Sequence, residues 1–200
     1  MSEFESEEDD SGTVFRDVIT LALAGFIVCL ILMLPHLNPP GAKTVDGLEP
    51  PGNIIVEARW PDDADVDVDL WVEGPGDVPV GYSNKGGKLF NLLRDDLGTR
   101  ADASRLNYEV SYSRGIVAGD YTVNLHLYRN TAKLPTVPVT VLVSVKRGIK
   151  ESARQVLVSE PILQREGQEL TVFRFKLDEE GGLVPDTVHN LQRPLRAARK

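Results

Sequence analysis

The chain has 200 residues, 42% hydrophobic and 26% charged, with a formal net charge of -8. This is ordinary globular composition, neither collagen-like nor that of a multi-span membrane protein. The acid excess argues against nucleic-acid binding, which needs clustered Lys and Arg to neutralise phosphates, and one cysteine, Cys29, excludes an internal disulfide or a cysteine-built metal centre.

Residues 1–12 form an acidic tail: Glu3, Glu5, Glu7, Glu8, Asp9 and Asp10 precede any base. Low hydrophobicity and high charge of one sign predict disorder there. From Val18 to Leu34 no residue is charged. With its flanks, this zone approaches the ~20 residues that cross a hydrocarbon core of ~30 Å. A transmembrane helix is predicted over residues 13–35, with Thr13 as its N-cap and Pro35 as its stop. A cleaved signal peptide would start basic and end in small residues. Here the leading segment is acidic, and Pro35 and His36 follow the core, so the helix reads as an uncleaved anchor in membrane lipid. Gly25 and Cys29, with Ala22 nearby, give a small-residue spacing that lets helices approach. Arg16 and Lys43 balance across the span. The expected orientation, N-terminus in the cytoplasm of a bacterium and the bulk outside its inner membrane, therefore rests on the short acidic tail staying inside.

Residues 36–52 are Pro- and Gly-rich and read as a semi-rigid spacer. Beyond them, short alternating or β-branched runs predict strands at Ile54–Trp60, Val66–Glu73, Val78–Tyr82, Tyr108–Tyr112, Tyr121–Tyr128, Val137–Lys146, Arg154–Pro161 and Leu170–Leu177. Leu89–Leu97 is the one helical candidate. The pattern predicts an all-β fold, an antiparallel β-sandwich of about eight strands over residues 53–178, followed by a C-terminal tail over 179–200. That tail ends in a basic cluster, Arg193, Arg196, Arg199 and Lys200. In 121–128, Tyr121, Val123, Leu125 and Leu127 share one face and Thr122, Asn124, His126 and Tyr128 the other. In 65–72, Asp65, Asp67, Asp69 and Trp71 oppose Val66, Val68, Leu70 and Val72.

Three features bear on function. Asp17 stands at the threshold of the membrane helix, where an ionisable group is costly and a candidate proton carrier. A first-turn acid favoured by the helix dipole occupies the same position. The acid ladder Asp62, Asp63, Asp65, Asp67 and Asp69 offers oxygen ligands, and Asp65, Asp67 and Asp69 form a candidate calcium site. A solvated strand face is the alternative, since strand-spaced carboxylates lie ~7 Å apart. Asp67, Asp69, Trp71, Asn84 and His126 form a candidate binding face. His36, His126 and His189 fit no hydrolytic or zinc motif, and the loop Gly81–Gly87 lacks phosphate-loop spacing. No enzyme is expected, and no cofactor other than calcium.

The ordered set Asp67–Val72, Tyr82–Lys85, Arg94–Gly98, Gly119–Tyr128 and Val137–Val141 resembles a group of uncharacterised bacterial membrane-anchored β-domain proteins. The group brings no activity with it. Phe15 to about Leu34, with an acid after the phenylalanine, is similar to the N-terminal helix of the ExbD/TolR and MotB subunits of proton-driven motors. That resemblance implies a proton-carrying Asp17, a homodimer or higher oligomer, and a multi-span membrane partner that forms a proton channel. The expected function is a single-pass subunit coupling such a partner to an extracytoplasmic sandwich. The alternative is a membrane-tethered binding module for an envelope protein, a glycan or calcium.

Overall fold

A computed structural model describes residues 6–37, 52–62, 64–98, 106–148 and 151–196. Most of the predicted spacer, Asp63, Arg199 and Lys200 lie outside these residues. The chain divides into two compact units, Met1–Glu49 and Pro50–Lys200.

The first unit contains one helix, α1 (Ser6–Leu37). Its segment Gly12–Met33, 22 residues long, is long and apolar enough to cross a membrane. At 1.5 Å per residue it spans about 33 Å. Large apolar side chains are exposed along it from Val14 to Met33, as expected of a helix whose solvent is lipid. The predicted limits shift outward. The helix starts at Ser6, within the stretch read as a disordered tail, so Thr13 lies inside the helix and does not cap it. It also runs two residues beyond Pro35, since a proline in a last turn removes a single N–H bond.

The second unit is an antiparallel β-sandwich. Its strands are β1 (Ile54–Arg59), β2 (Val66–Glu73), β3 (Phe90–Arg94), β4 (Tyr108–Ser113), β5 (Gly119–Asn130), β6 (Val137–Pro138), β7 (Thr140–Val145), β8 (Arg154–Ser159), β9 (Ile162–Leu163) and β10 (Glu169–Leu177). A five-stranded sheet runs β3-β4-β1-β7-β8, a three-stranded sheet runs β10-β5-β2, and β6 pairs with β9. The predicted alternation holds. Val66, Val68, Leu70 and Val72 meet Tyr121, Val123, Leu125 and Leu127 in one buried core with Ile54, Val56, Val141 and Val143. Tyr121 stacks on Phe175 at 5.3 Å and meets Phe90 edge-on at 6.1 Å, geometry that adds to the area buried.

Three predicted elements differ. Leu89–Leu97 is not a helix: Phe90–Arg94 is β3, paired with β4. Val78–Tyr82 forms only isolated bridges, Val72 with Val80 and Gly81 with Asn84. The tail over 179–200 does not hang free where it is described. His189 bridges Arg174 of β10, and residues 192–196 strap the three-stranded sheet.

Candidate functional site

The outward face of the three-stranded sheet is polar by sequence, yet it is buried. Every residue of Tyr121–Leu127 on β5 is buried, as is every residue of β2 except Glu73. One face packs into the core and the other is covered by the strap and by the loop after β2. On the strap, the Arg193 carbonyl accepts from Asn124 Nδ2 at 2.7 Å, and the Leu195 N–H donates to Glu169 Oε1 at 2.7 Å. The Arg193 guanidinium pairs with Glu73 at 2.7 Å. Leu195 is itself buried.

Within this layer the antiparallel register sets Asp69 opposite His126 and Trp71 opposite Asn124. His126 Nδ1 lies 2.6 Å from Asp69 Oδ2, with both side chains buried. With Asp69 ionised, Nδ1 carries the proton and donates. Trp71 lies edge-on to Tyr82 at 5.7 Å, Tyr82 stands 6.0 Å from Tyr128, and Tyr128 stands 6.2 Å from His126. The loop reaches Trp71 through Gly81, where an added Cβ would lie 2.5 Å from the indole. These rings form an aromatic rim, with Tyr128 exposed. In the same layer, Asp67 Oδ1, Trp71 Nε1, Asn124 Oδ1 and His126 Nε2 are buried with no hydrogen-bond partner among the described residues. Such atoms are rare in native proteins, because each forfeits its hydration.

At the edge of β2 that faces away from β5 the acids gather. Glu109 of β4 is fully buried, and its Oε2 accepts the Leu70 N–H at 2.7 Å. Its other oxygen accepts the Asp96 N–H at 3.3 Å. Asp69, Asp95 and Glu109 each bring one carboxylate oxygen to within 4.8 Å of the others. Asp96 is held apart by Arg94 at 2.9 Å. Burial pushes the Asp67 carboxyl up to about 7; the Asp69 charge adds to this and Arg129 opposes it. Burial raises Asp69 as well, against the hydrogen bond and charge of His126. Burial pushes Glu109 well up, the Leu70 N–H opposes it, and the charges of Asp69 and Asp95 add to it.

Of the predicted binding face, the structure brings Asp67, Asp69, Trp71 and His126 together. Asn84 turns back onto the Pro79 carbonyl, and its neighbour Tyr82 reaches the face instead. Of the predicted calcium ladder, Asp69 joins the convergent group, Asp67 lies two residues before it on the same strand face, and Asp65 precedes β2 beside Arg129 at 3.7 Å. Asp95 and Glu109 were not predicted. The run Arg94–Gly98 carried a signal, two adjacent acids among apolar residues, but nothing local tied it to β2. Asp17 is exposed on α1. No protein-family model matches the chain, and neither a curated protein nor a solved structure does.

Proposed function

We propose that the protein is a membrane-tethered binding module. α1 anchors it in a bacterial inner membrane with the N-terminus in the cytoplasm. The aromatic rim at the margin of the covered sheet face, half-buried Tyr82 and exposed Tyr128, recognises an envelope component outside. The observation that carries this reading is the aromatic rim of Trp71, Tyr82 and exposed Tyr128, which adjoins His126 and its unpartnered buried Nε2. Aromatic rings beside convergent polar atoms are the usual make-up of a recognition site. A photoreactive residue placed at Tyr82 or Tyr128 in living cells is expected to give a discrete adduct. The same residue at Leu93 or Val158, exposed on the other sheet, is expected to give none. Equal labelling at all four positions, or labelling confined to Leu93 and Val158, defeats the reading.

A second reading rests on Asp17, the one acid in the span Gly12–Met33. There the chain is a motor-type subunit beside a multi-span proton-channel partner, and Asp17 carries protons. Asp17→Asn removes the titrating group while keeping the side-chain shape. It is then expected to reproduce the deletion phenotype at an unchanged membrane level of the protein. Growth and envelope integrity equal to wild type would end this reading.

A further inference from the structure

We propose that Asp69, Asp95 and Glu109 form a calcium site at the edge of β2 that faces away from β5. This deepens the binding-module reading and rests on it for its purpose: the ion would fix the edge beside the recognition face.

The donor set comes from three separate elements. Asp69 lies on β2, Glu109 on β4, and Asp95 in the connection that follows β3. Their oxygens lie within 4.8 Å of one another. Two oxygens on one calcium, each at 2.3–2.6 Å, stand up to about 5 Å apart. All the donors are carboxylate oxygens, which suits a hard cation. The imidazole of His126 is already engaged, with its Nδ1 on Asp69 Oδ2. It therefore orients a ligand, as partners of metal-bound carboxylates do.

An independent observation comes from Asp67. It is 1% exposed and lies on the strand face shared with Asp69. Its Oδ1 has no hydrogen-bond partner among the described residues, and neither does Asp95 Oδ1. Arg129 approaches Asp67 only to 3.8 Å, and Asp96 is already held by Arg94. Lys85 sits 2.8 Å from Asp95 but is 60% exposed along its side chain, so it can swing into solvent when an ion arrives. Buried carboxylate oxygens with no donor are unfavourable unless a proton or a cation joins them. The converging geometry favours the cation.

The test uses the full chain in non-ionic detergent, stripped with chelator and then titrated with CaCl2, MgCl2 or MnCl2 at pH 7.5. Calorimetry is expected to show one saturable calcium per chain. Melting followed by tryptophan fluorescence is expected to rise by about 5 °C or more at saturating calcium, since a ligand that binds only the folded state stabilises it, and by less with magnesium. Asp95→Asn changes a group outside any strand. It is expected to lower calcium affinity at least tenfold while the chelated protein melts within about 2 °C of wild type, because the exposed Lys85 pair contributes little. Asp65→Asn is expected to bind calcium as wild type does. No heat and no melting shift with any of the three ions at 10 mM overturns the site in favour of protonated carboxyls. Wild-type calcium binding by Asp95→Asn, or tighter magnesium than calcium, overturns the assignment as drawn. Photo-adducts at Tyr82 and Tyr128 without calcium binding would sink the ion site alone. Calcium binding without those adducts would sink the recognition role alone.

Discussion

Glu109→Ala is expected to cost the β domain about 3–5 kcal/mol, read as a fall in urea stability in chelator-containing buffer. Small domains are stable by only about 5–15 kcal/mol, so this is a large share of the total. Two effects combine. A fully buried side chain is truncated inside the sandwich, leaving a void. The Leu70 N–H, a donor on the edge of β2 that faces away from β5, then loses its acceptor at 2.7 Å, and the Asp96 N–H loses its own. Removing the acid also relieves the burial that holds its pKa well up, so the loss is smaller than these two effects alone suggest. Glu109→Gln keeps the volume and one acceptor and is expected to lose less than half as much. A stability of Glu109→Ala within about 1 kcal/mol of wild type would mean that the β2 edge does not depend on this carboxylate.

The second large effect is at Asp77, far along the chain from β3 yet part of its start. Asp77 Oδ1 accepts the N–H groups of Val78 and Lys88 at 2.8 and 2.7 Å. Oδ2 accepts those of Leu89 and Phe90 at 2.7 and 3.0 Å. Burial alone would raise this carboxyl. The N–H donors of Phe90, Leu89, Lys88 and Val78 together outweigh it and hold the pKa below the ordinary value of 3.8. Asp77→Ala is expected to cost about 2–4 kcal/mol, because several backbone donors lose one charged acceptor. The sign with pH follows from the lowered pKa. The contribution of Asp77 is present above the unfolded value near 3.8 and is lost as pH falls through the lower folded value. Wild type and Asp77→Ala should therefore differ most at neutral pH and converge in strong acid. A difference that stays constant from pH 7 down to pH 2 would show that the charge is not what matters. Gly87 is part of the same arrangement, since a Cβ there would lie 2.5 Å from the Asp77 carboxylate.

The helix and most strands were legible because each is a local pattern. An uncharged run of hydrocarbon length has few other fates, and period-two alternation in 66–72 and 121–127 assigns both faces of a strand. β3 was misread because Leu89, Leu92, Leu93 and Leu97 mimic helical spacing. Pairing with β4 and the distant Asp77 carboxylate override that local preference. Half of the site was legible for the same reason as the strands: Asp67, Asp69, Trp71 and His126 follow directly from alternation. Glu109 was hidden because β4 inverts the usual code. Glu109, Ser111 and Ser113 are buried there, while Tyr108, Val110 and Tyr112 are only half-buried. Hydrophobicity alone assigns those faces the other way round. The strap was hidden too. It is held through backbone groups, the Glu169 carboxylate and the single apolar anchor Leu195, none of which leaves a periodic trace.

That strap also sets an order of events at the ribosome. Translation delivers residues 192–196 after every strand they cover, at roughly 5–20 residues per second. Until they arrive, the Asn124–Glu169 pair, joined at 2.7 Å in the folded sheet, lacks the Arg193 carbonyl and the Leu195 N–H that bond it there. The cover of the outer layer is thus made after the strands it closes over.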